Sequence, residues 1–136
     1  MVKLIAGLAG SGKTKAMIEM VNKAASEEKG QVVCIERGTK LRYDVKSAAR
    51  LIDSSEYEIK GFRVMRGFLS GLCAGNFDIS HIFVDSLHKV AHVDDIDELE
   101  EFAQWMEEFH GKHGVSFTVS VGVREDKLTG HLKGLL

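Results

Sequence analysis

Apolar positions recur along this chain in two alternating rhythms. Short β-branched or apolar runs stand at Val2–Ala6, Gln31–Glu36, Ile79–Val84 and 115–121, and each predicts a buried strand. Between them the spacing changes to three and four. Met17, Met20, Val21 and Ala24 mark a helix over 14–28, closed by Lys29-Gly30. Phe62, Met65, Phe68, Leu69, Leu72 and Cys73 mark a second from Gly61, broken by Gly75-Asn76. Ile96, Leu99, Phe102, Ala103, Met106 and Phe109 line one face of a third over 94–110, the strongest in the chain. Asp94, Asp95, Asp97 and Glu98 suit its positive N-terminus. Weaker signals fall between. Asp44 is placed to cap a short helix with Val45, Ala48, Ala49 and Ile52 on one face. Residues 57–59 read as a minor extended piece, and 128–136 as a weak helix interrupted by Gly130 and Gly134. Strands alternating with helices predict an α/β fold of three layers, with a mostly parallel central sheet of four or five strands and right-handed crossovers.

Composition narrows the class. Leu, Ile, Val and Phe supply 40 of the 136 residues, enough to bury a core and too many for a disordered chain. The length predicts one domain spanning residues 1–136. No apolar run approaches the ~20 residues of a membrane helix, and the N-terminus lacks the pattern of a signal peptide. Cys34 and Cys73 make neither a disulfide framework nor a CxxC pair. They are expected to be reduced, buried thiols of a cytoplasmic protein. A net charge of −2 gives no general pull toward nucleic acid. The charge is uneven, however. Residues 1–75 carry 13 basic and 8 acidic side chains, and residues 76–136 carry 5 and 12, so an anionic ligand is expected at the first half.

The chemistry begins at 7–14. Gly7-Leu8-Ala9-Gly10-Ser11-Gly12-Lys13-Thr14 matches the phosphate-loop pattern G-x-x-x-x-G-K-[ST]. It lies where that chemistry requires, after an apolar strand and before an amphipathic helix. Gly7 lets the chain leave the strand sharply, and Gly10 and Gly12 permit angles that a Cβ forbids. The N–H groups of the loop, Ser11 included, would form an anion nest at the helix N-terminus. Lys13 would reach the β- and γ-phosphates, and Thr14 would offer its hydroxyl to Mg²⁺. Asp85 ends the strand 79–84, the position of a Walker B aspartate, and would hold the Mg²⁺ shell.

The catalytic groups are less defined. Ser86 stands where many P-loop ATPases carry a water-polarising glutamate. Glu36, at the end of the second strand on the ligand-facing edge, is the substitute candidate; the alternative is a loop or structural carboxylate. Ser120 is either a γ-phosphate sensor or a plain strand residue. An arginine finger would come from Arg37, Arg42, Arg50, Arg63, Arg66 or Arg124. His88 and His92 have metal-binding i,i+4 spacing but no third ligand nearby, and so read as solvated or capping residues. The acidic stretch 94–108 reads as the solvated face of a docked helix, with a partner surface as the alternative.

GTP specificity is not supported: Asp85 is followed by Ser-Leu-His, and Thr39-Lys40-Leu41-Arg42 has arginine where the guanine motif needs aspartate. The chain leaves little room for the acceptor insert and lid of a small-molecule kinase, or for the added helical domain of AAA+ proteins. Over nearly its whole length it resembles a family of small single-domain P-loop proteins of Gram-positive bacteria, variously labelled ATP-binding, ATPase or twitching-motility proteins. The resemblance rests on MVKLIAGLAGSGKTK, VVCIERGTKLRYDVK, ARLIDSSEY and DISHIFVDSLHKV, and continues into the acidic helix and VSFTVSV. It implies a three-layer P-loop NTPase fold with residues 7–14 as the phosphate site and Asp85 as the metal carboxylate. The expected function is binding of ATP with Mg²⁺ and weak hydrolysis. The alternatives are a nucleotide-dependent switch with little turnover, or a small-molecule phosphotransferase. Expected partners are ATP and ADP, with a second copy or another protein as a further candidate, and neither membrane nor nucleic acid.

Overall fold

The computed structural model describes all residues, Met1–Leu136. Five strands form one sheet: β1 Val2–Ala6, β2 Gln31–Glu36, β3 Ala49–Asp53, β4 Ile79–Val84 and β5 Ser116–Val121. Their order is β1-β5-β4-β2-β3, and every neighbouring pair is parallel. All five C-terminal ends therefore meet along one edge of the sheet. The helices are α1 Lys13–Glu27, α2 Gly61–Gly75, α3 Leu87–Ala91, α4 Ile96–His113 and α5 Gly130–Lys133. No helix is long and apolar enough to cross a membrane.

Successive strand residues face opposite sides of a sheet, and here the two sides differ sharply. One side presents Val33, Ile35, Ile82, Val84, Phe117 and Val119 to α2, α3 and α4, building a core of 24 residues. Phe62 of α2 stacks on Phe102 of α4 with ring centroids 4.8 Å apart. Burying side chains of this size contributes about 1.5–3 kcal/mol each, so this side holds most of the stability. The other side presents Val32, Cys34 and Phe83 to Met17, Val21 and Ala24 of α1 and to Leu41, a core of 8 residues. Helices cover both faces, and the sheet is the middle of three layers.

The α1 side also carries the sheet's buried polar groups. His81 lies beside Phe83 with ring centroids 4.0 Å apart. Its Nδ1 is 2.9 Å from Glu28 Oε2 and its Nε2 is 2.8 Å from Thr118 Oγ1. A carboxylate can only accept, so Nδ1–H donates to Glu28 and the Thr118 hydroxyl donates to Nε2. Burial holds the His81 pKa below the usual histidine value despite Glu28, which favours this neutral arrangement.

Several expectations are corrected. The 45–52 helix does not form; Ala49–Asp53 is the edge strand β3, registered from Val32↔Ala49 to Glu36↔Asp53. A two-turn helix is marginal by itself, whereas the strand completes the ladder on the outer edge of β2. Asp44 caps nothing there. Asn22 of α1 donates to Asp44 O (2.8 Å) and accepts from Lys46 N (2.8 Å), tying the 37–48 loop to α1. Residues 57–59 form no strand: Ile59 N donates to Tyr57 O at 3.0 Å, closing a tight bend, and Ile59 is buried. Helix α3 was not anticipated. The acidic helix starts later than expected, with Asp95 accepting from Glu98 N at 3.0 Å, and runs on to Gly114 in the left-handed region. The tail helix shrinks to α5, whose Leu132 is buried. Just beyond it, Leu4 N donates to Leu135 O at 2.8 Å, which covers part of the open edge of β1. Cys34 is buried as expected, but Cys73 is only half-buried; both are free thiols.

Candidate functional site

Period-two alternation decides which side chains meet. Glu36 shares the α1 side with Val32 and Cys34, Asp85 with His81 and Phe83, and Ser120 with Thr118. Their positions at or just past the ends of β2, β4 and β5 bring all three to the C-terminal edge of the sheet. The 7–14 loop, which joins β1 to α1, lies over the same edge.

The loop is shaped for an anion. A Cβ on Gly7 would collide with Ser11 Oγ. Gly10 and Gly12 have φ of 83° and 86°, which side chains rarely adopt. Gly12 is the N-cap of α1, no side chain caps that end, and no acid lies in the first turn. The N–H groups of Gly12, Lys13 and Thr14 accordingly meet no acceptor in the protein. Unpaired amides, the helix dipole and Lys13 converge on one point. Lys13 Nζ folds over the loop, donating to Gly7 O (2.5 Å) and Leu8 O (3.0 Å).

Two adjoining hollows open here. The larger, about 630 Å³, is lined by Gly10, Gly12, Lys13, Thr14 and Lys15 on one side and by Ser86, His88, Lys89 and Gly122 on the other. Its lining contains no carboxylate. The smaller, about 90 Å³, is lined by Thr14, Glu36, Arg37, Lys40, Asp85, Ser86 and Lys89. A third concavity of about 570 Å³ lies elsewhere, between the C-terminal ends of α2 and α4, and is walled by Phe77, Trp105 and Phe109.

At the junction of the two hollows, Thr14 Oγ1 lies 3.4 Å from Asp85 Oδ2. Ser120 Oγ donates to Asp85 Oδ1 (3.1 Å) and accepts from Ser86 N (2.7 Å). Ser120 is fully buried and lines neither hollow. The geometry gives its hydroxyl a positioning role: it orients Asp85 and anchors Ser86, whose φ of 57° is unusual for a residue with a side chain. The hydroxyl of Thr14 and the carboxylate of Asp85 are hard oxygen donors on one spot, a set that fits Mg²⁺.

Glu36 is 3% exposed, and its Oε2 accepts from Leu41 N at 2.9 Å. Burial raises its proton affinity, the Leu41 and Lys40 amides oppose this, and Asp85 and Asp53 add to the rise. A carboxylate shifted upward is a better proton acceptor. The neighbouring Cys34 thiol is pushed up to about 12 by burial, then by Asp85 and Glu36, so it stays protonated at neutral pH. Burial also lowers the His88 pKa. The positive charge of the larger hollow therefore comes from Lys13, Lys15 and Lys89.

Of the arginines considered, only Arg37 lines either hollow. Arg42 lies over the Tyr43 ring and Arg124 pairs with Asp126. Arg63 and Arg66 belong to α2, and Arg50 is an exposed residue of the edge strand. His88 and His92 do not share a metal-binding helix face. His92 ends α3 in the left-handed region, with Nδ1 3.4 Å from Arg37 Nη1. Lys89, Ser86 and Gly122 line the larger hollow although no motif in the sequence marks them as site residues. The available signal was Leu87, Val90 and Ala91, spaced three and four apart directly after Asp85.

No protein-family model matches this chain, and no curated protein matches it either.

Proposed function

We propose that this chain is a P-loop nucleotide-binding protein that takes Mg²⁺·ATP at the C-terminal edge of its sheet and hydrolyses it slowly by itself. The observation that carries this reading is the 7–14 loop. It combines left-handed glycines, unpaired amides at an uncapped helix N-terminus, and a lysine turned over the loop. The resemblance of the sequence motifs to small P-loop proteins points the same way. Thr14 and Asp85 would hold the metal, which when bound neutralises charge on the β- and γ-phosphate oxygens. The chain's own groups do the remainder. The loop amides and Lys13 bind and align the phosphates, Ser120 keeps Asp85 in place, and Glu36 is positioned to accept a proton from an attacking water. No arginine reaches the carboxylate-free hollow, and Glu36 is partly engaged by Leu41, so unaided turnover should be low.

The test is calorimetric titration with ATP in Mg²⁺ and in EDTA, followed by phosphate-release assays on the same protein. Saturable binding that tightens with Mg²⁺ is the expected result. Absence of binding under both conditions would refute the reading. Metal-dependent binding with no release of phosphate would instead favour a nucleotide-dependent switch.

A further inference from the structure

We propose that Lys89 is the residue that stabilises the charge developing on the γ-phosphate, supplied from within the chain, so that hydrolysis does not require an arginine from a second copy. This rests on the nucleotide reading above and names a part of the machinery which that reading lacks. Lys89 is the only cationic side chain that lines both hollows. It therefore stands between the carboxylate-free phosphate cleft and the recess holding Glu36 and Asp85, where a γ-phosphate and an attacking water would meet.

The backbone beneath Lys89 is fixed. Leu87, Val90 and Ala91 are each 1% exposed or less. The turn is closed by Lys89 N donating to Ser86 O at 2.9 Å, and Ser86 N is itself held by Ser120 Oγ at 2.7 Å. The ammonium is uncommitted: the ion pairs of the chain join His81 to Glu28, Arg124 to Asp126, and His131 to Glu100 and Glu107. The competing cations fit less well. Arg37 and Lys40 line only the smaller hollow, and Lys15 only the larger. In the step concerned, the water oxygen bonds to the γ-phosphorus while the bond from that phosphorus to the β–γ bridging oxygen breaks. The electron pair leaves with ADP, and the proton lost by water passes to Glu36 and on to solvent. Negative charge builds on the γ-phosphoryl and bridging oxygens, which a cation carried on this held backbone stabilises more than it stabilises bound ATP.

The experiment compares wild type, Lys89→Ala, Lys89→Arg and Lys13→Ala. Thermal melts confirm folding, since Lys89 is an exposed residue. Calorimetry reads affinity for Mg²⁺·ADP and for Mg²⁺·ADP with fluoroaluminate, a mimic of the transferring phosphoryl group. Lys89→Ala should leave ADP affinity within about threefold while weakening the mimic by about a hundredfold or more, with kcat falling in parallel. Lys89→Arg should recover part of both. Wild-type specific activity should not change with protein concentration. Equal affinity of wild type and Lys89→Ala for the mimic would overturn the assignment, as would a specific activity that rises with protein concentration and ignores Lys89. In either case the nucleotide site itself would stand, provided Lys13→Ala still loses binding. Failure of wild type to bind any of these ligands would overturn both.

Discussion

Replacing Lys13 by alanine should separate ligand binding from folding. In the free protein Lys13 Nζ donates to Gly7 O and Leu8 O, and losing such bonds at a half-exposed site costs about 1 kcal/mol. The substitution also removes a cation from the positive end of α1, which gives back about 0.3–1 kcal/mol. Net stability should stay within about 1 kcal/mol, a Tm change of a few degrees for a chain this size. Binding should respond far more. A hydrogen bond to a charged group contributes about 1.5–3 kcal/mol, so the affinity for Mg²⁺·ATP should fall roughly 10- to 100-fold. The assay is a pair of melts with and without ligand. At a ligand concentration of about 100 Kd, wild type gains about 2.7 kcal/mol. A variant that binds about 30-fold more weakly gains only about 0.9 kcal/mol at the same concentration. Equal ligand-induced stabilisation of the two proteins would mean that Lys13 does not touch the ligand, and the site would have to be placed elsewhere.

Ser120→Ala should cost about 1–3 kcal/mol in urea denaturation, because Ser86 N loses its acceptor and Asp85 a donor; it should also raise the Mg²⁺ concentration needed for nucleotide binding, and a variant as stable as wild type would contradict this. Gly122→Ala would place a Cβ 2.7 Å from His88 Cε1, so the imidazole must turn aside; the cost in urea denaturation should stay below about 1 kcal/mol, and a cycle with His88→Ala should show the two positions coupled, additive effects contradicting the contact. Two histidines should leave opposite marks on stability against pH, read by urea titrations from pH 5 to 9. His131 bridges Glu100 and Glu107 and has a raised pKa, first through its hydrogen bond to Glu107. Its support is full below the unfolded value near 6.5 and is lost as pH rises through the folded value, so His131→Gln should flatten that loss; the effect is small because these side chains are about a third exposed. His81 has a lowered pKa from burial, so its support is present above about 6.5 and is lost as pH falls through the folded value.

What could be read from the sequence follows the range of the interaction involved. Strands β1, β2, β4 and β5 and helices α1, α2 and α4 were legible because each carries its own local pattern over five or more residues. The stretch 45–52 was not. Val45, Ala48, Ala49 and Ile52 satisfy a helical spacing, and only the unpaired outer edge of β2, far away in sequence, turns 49–53 into a strand. Helix α3 has five residues, too few for a pattern to stand out, although Leu87, Val90 and Ala91 form its buried side. The two omissions differ in consequence. Misreading β3 changes the edge of the sheet, whereas overlooking α3 hides Lys89, the cation shared by both hollows.

The candidate site divides along the same line. The 7–14 loop is contiguous, so its glycines, Lys13 and Thr14 could be read together. Glu36, Asp85 and Ser120 stand on three strands, and their meeting depends on the order β5-β4-β2, which no local pattern encodes. Their shared side of the sheet was nevertheless encoded, by the alternations Val32/Cys34/Glu36, His81/Phe83/Asp85 and Thr118/Ser120. Buried polar groups need partners, and collecting them on the side of α1 lets them satisfy one another: His81 with Glu28 and Thr118, and Ser120 with Asp85 and Ser86. The buried strand positions of the opposite side are apolar and form the larger core. That division explains how a chain of 136 residues can bury two carboxylates at one sheet edge and remain folded. It also fixes where function should be sensitive. Substitutions on the α2–α4 side should alter stability first, whereas those at the ends of β2, β4 and β5 should alter ligand binding at smaller cost to the fold.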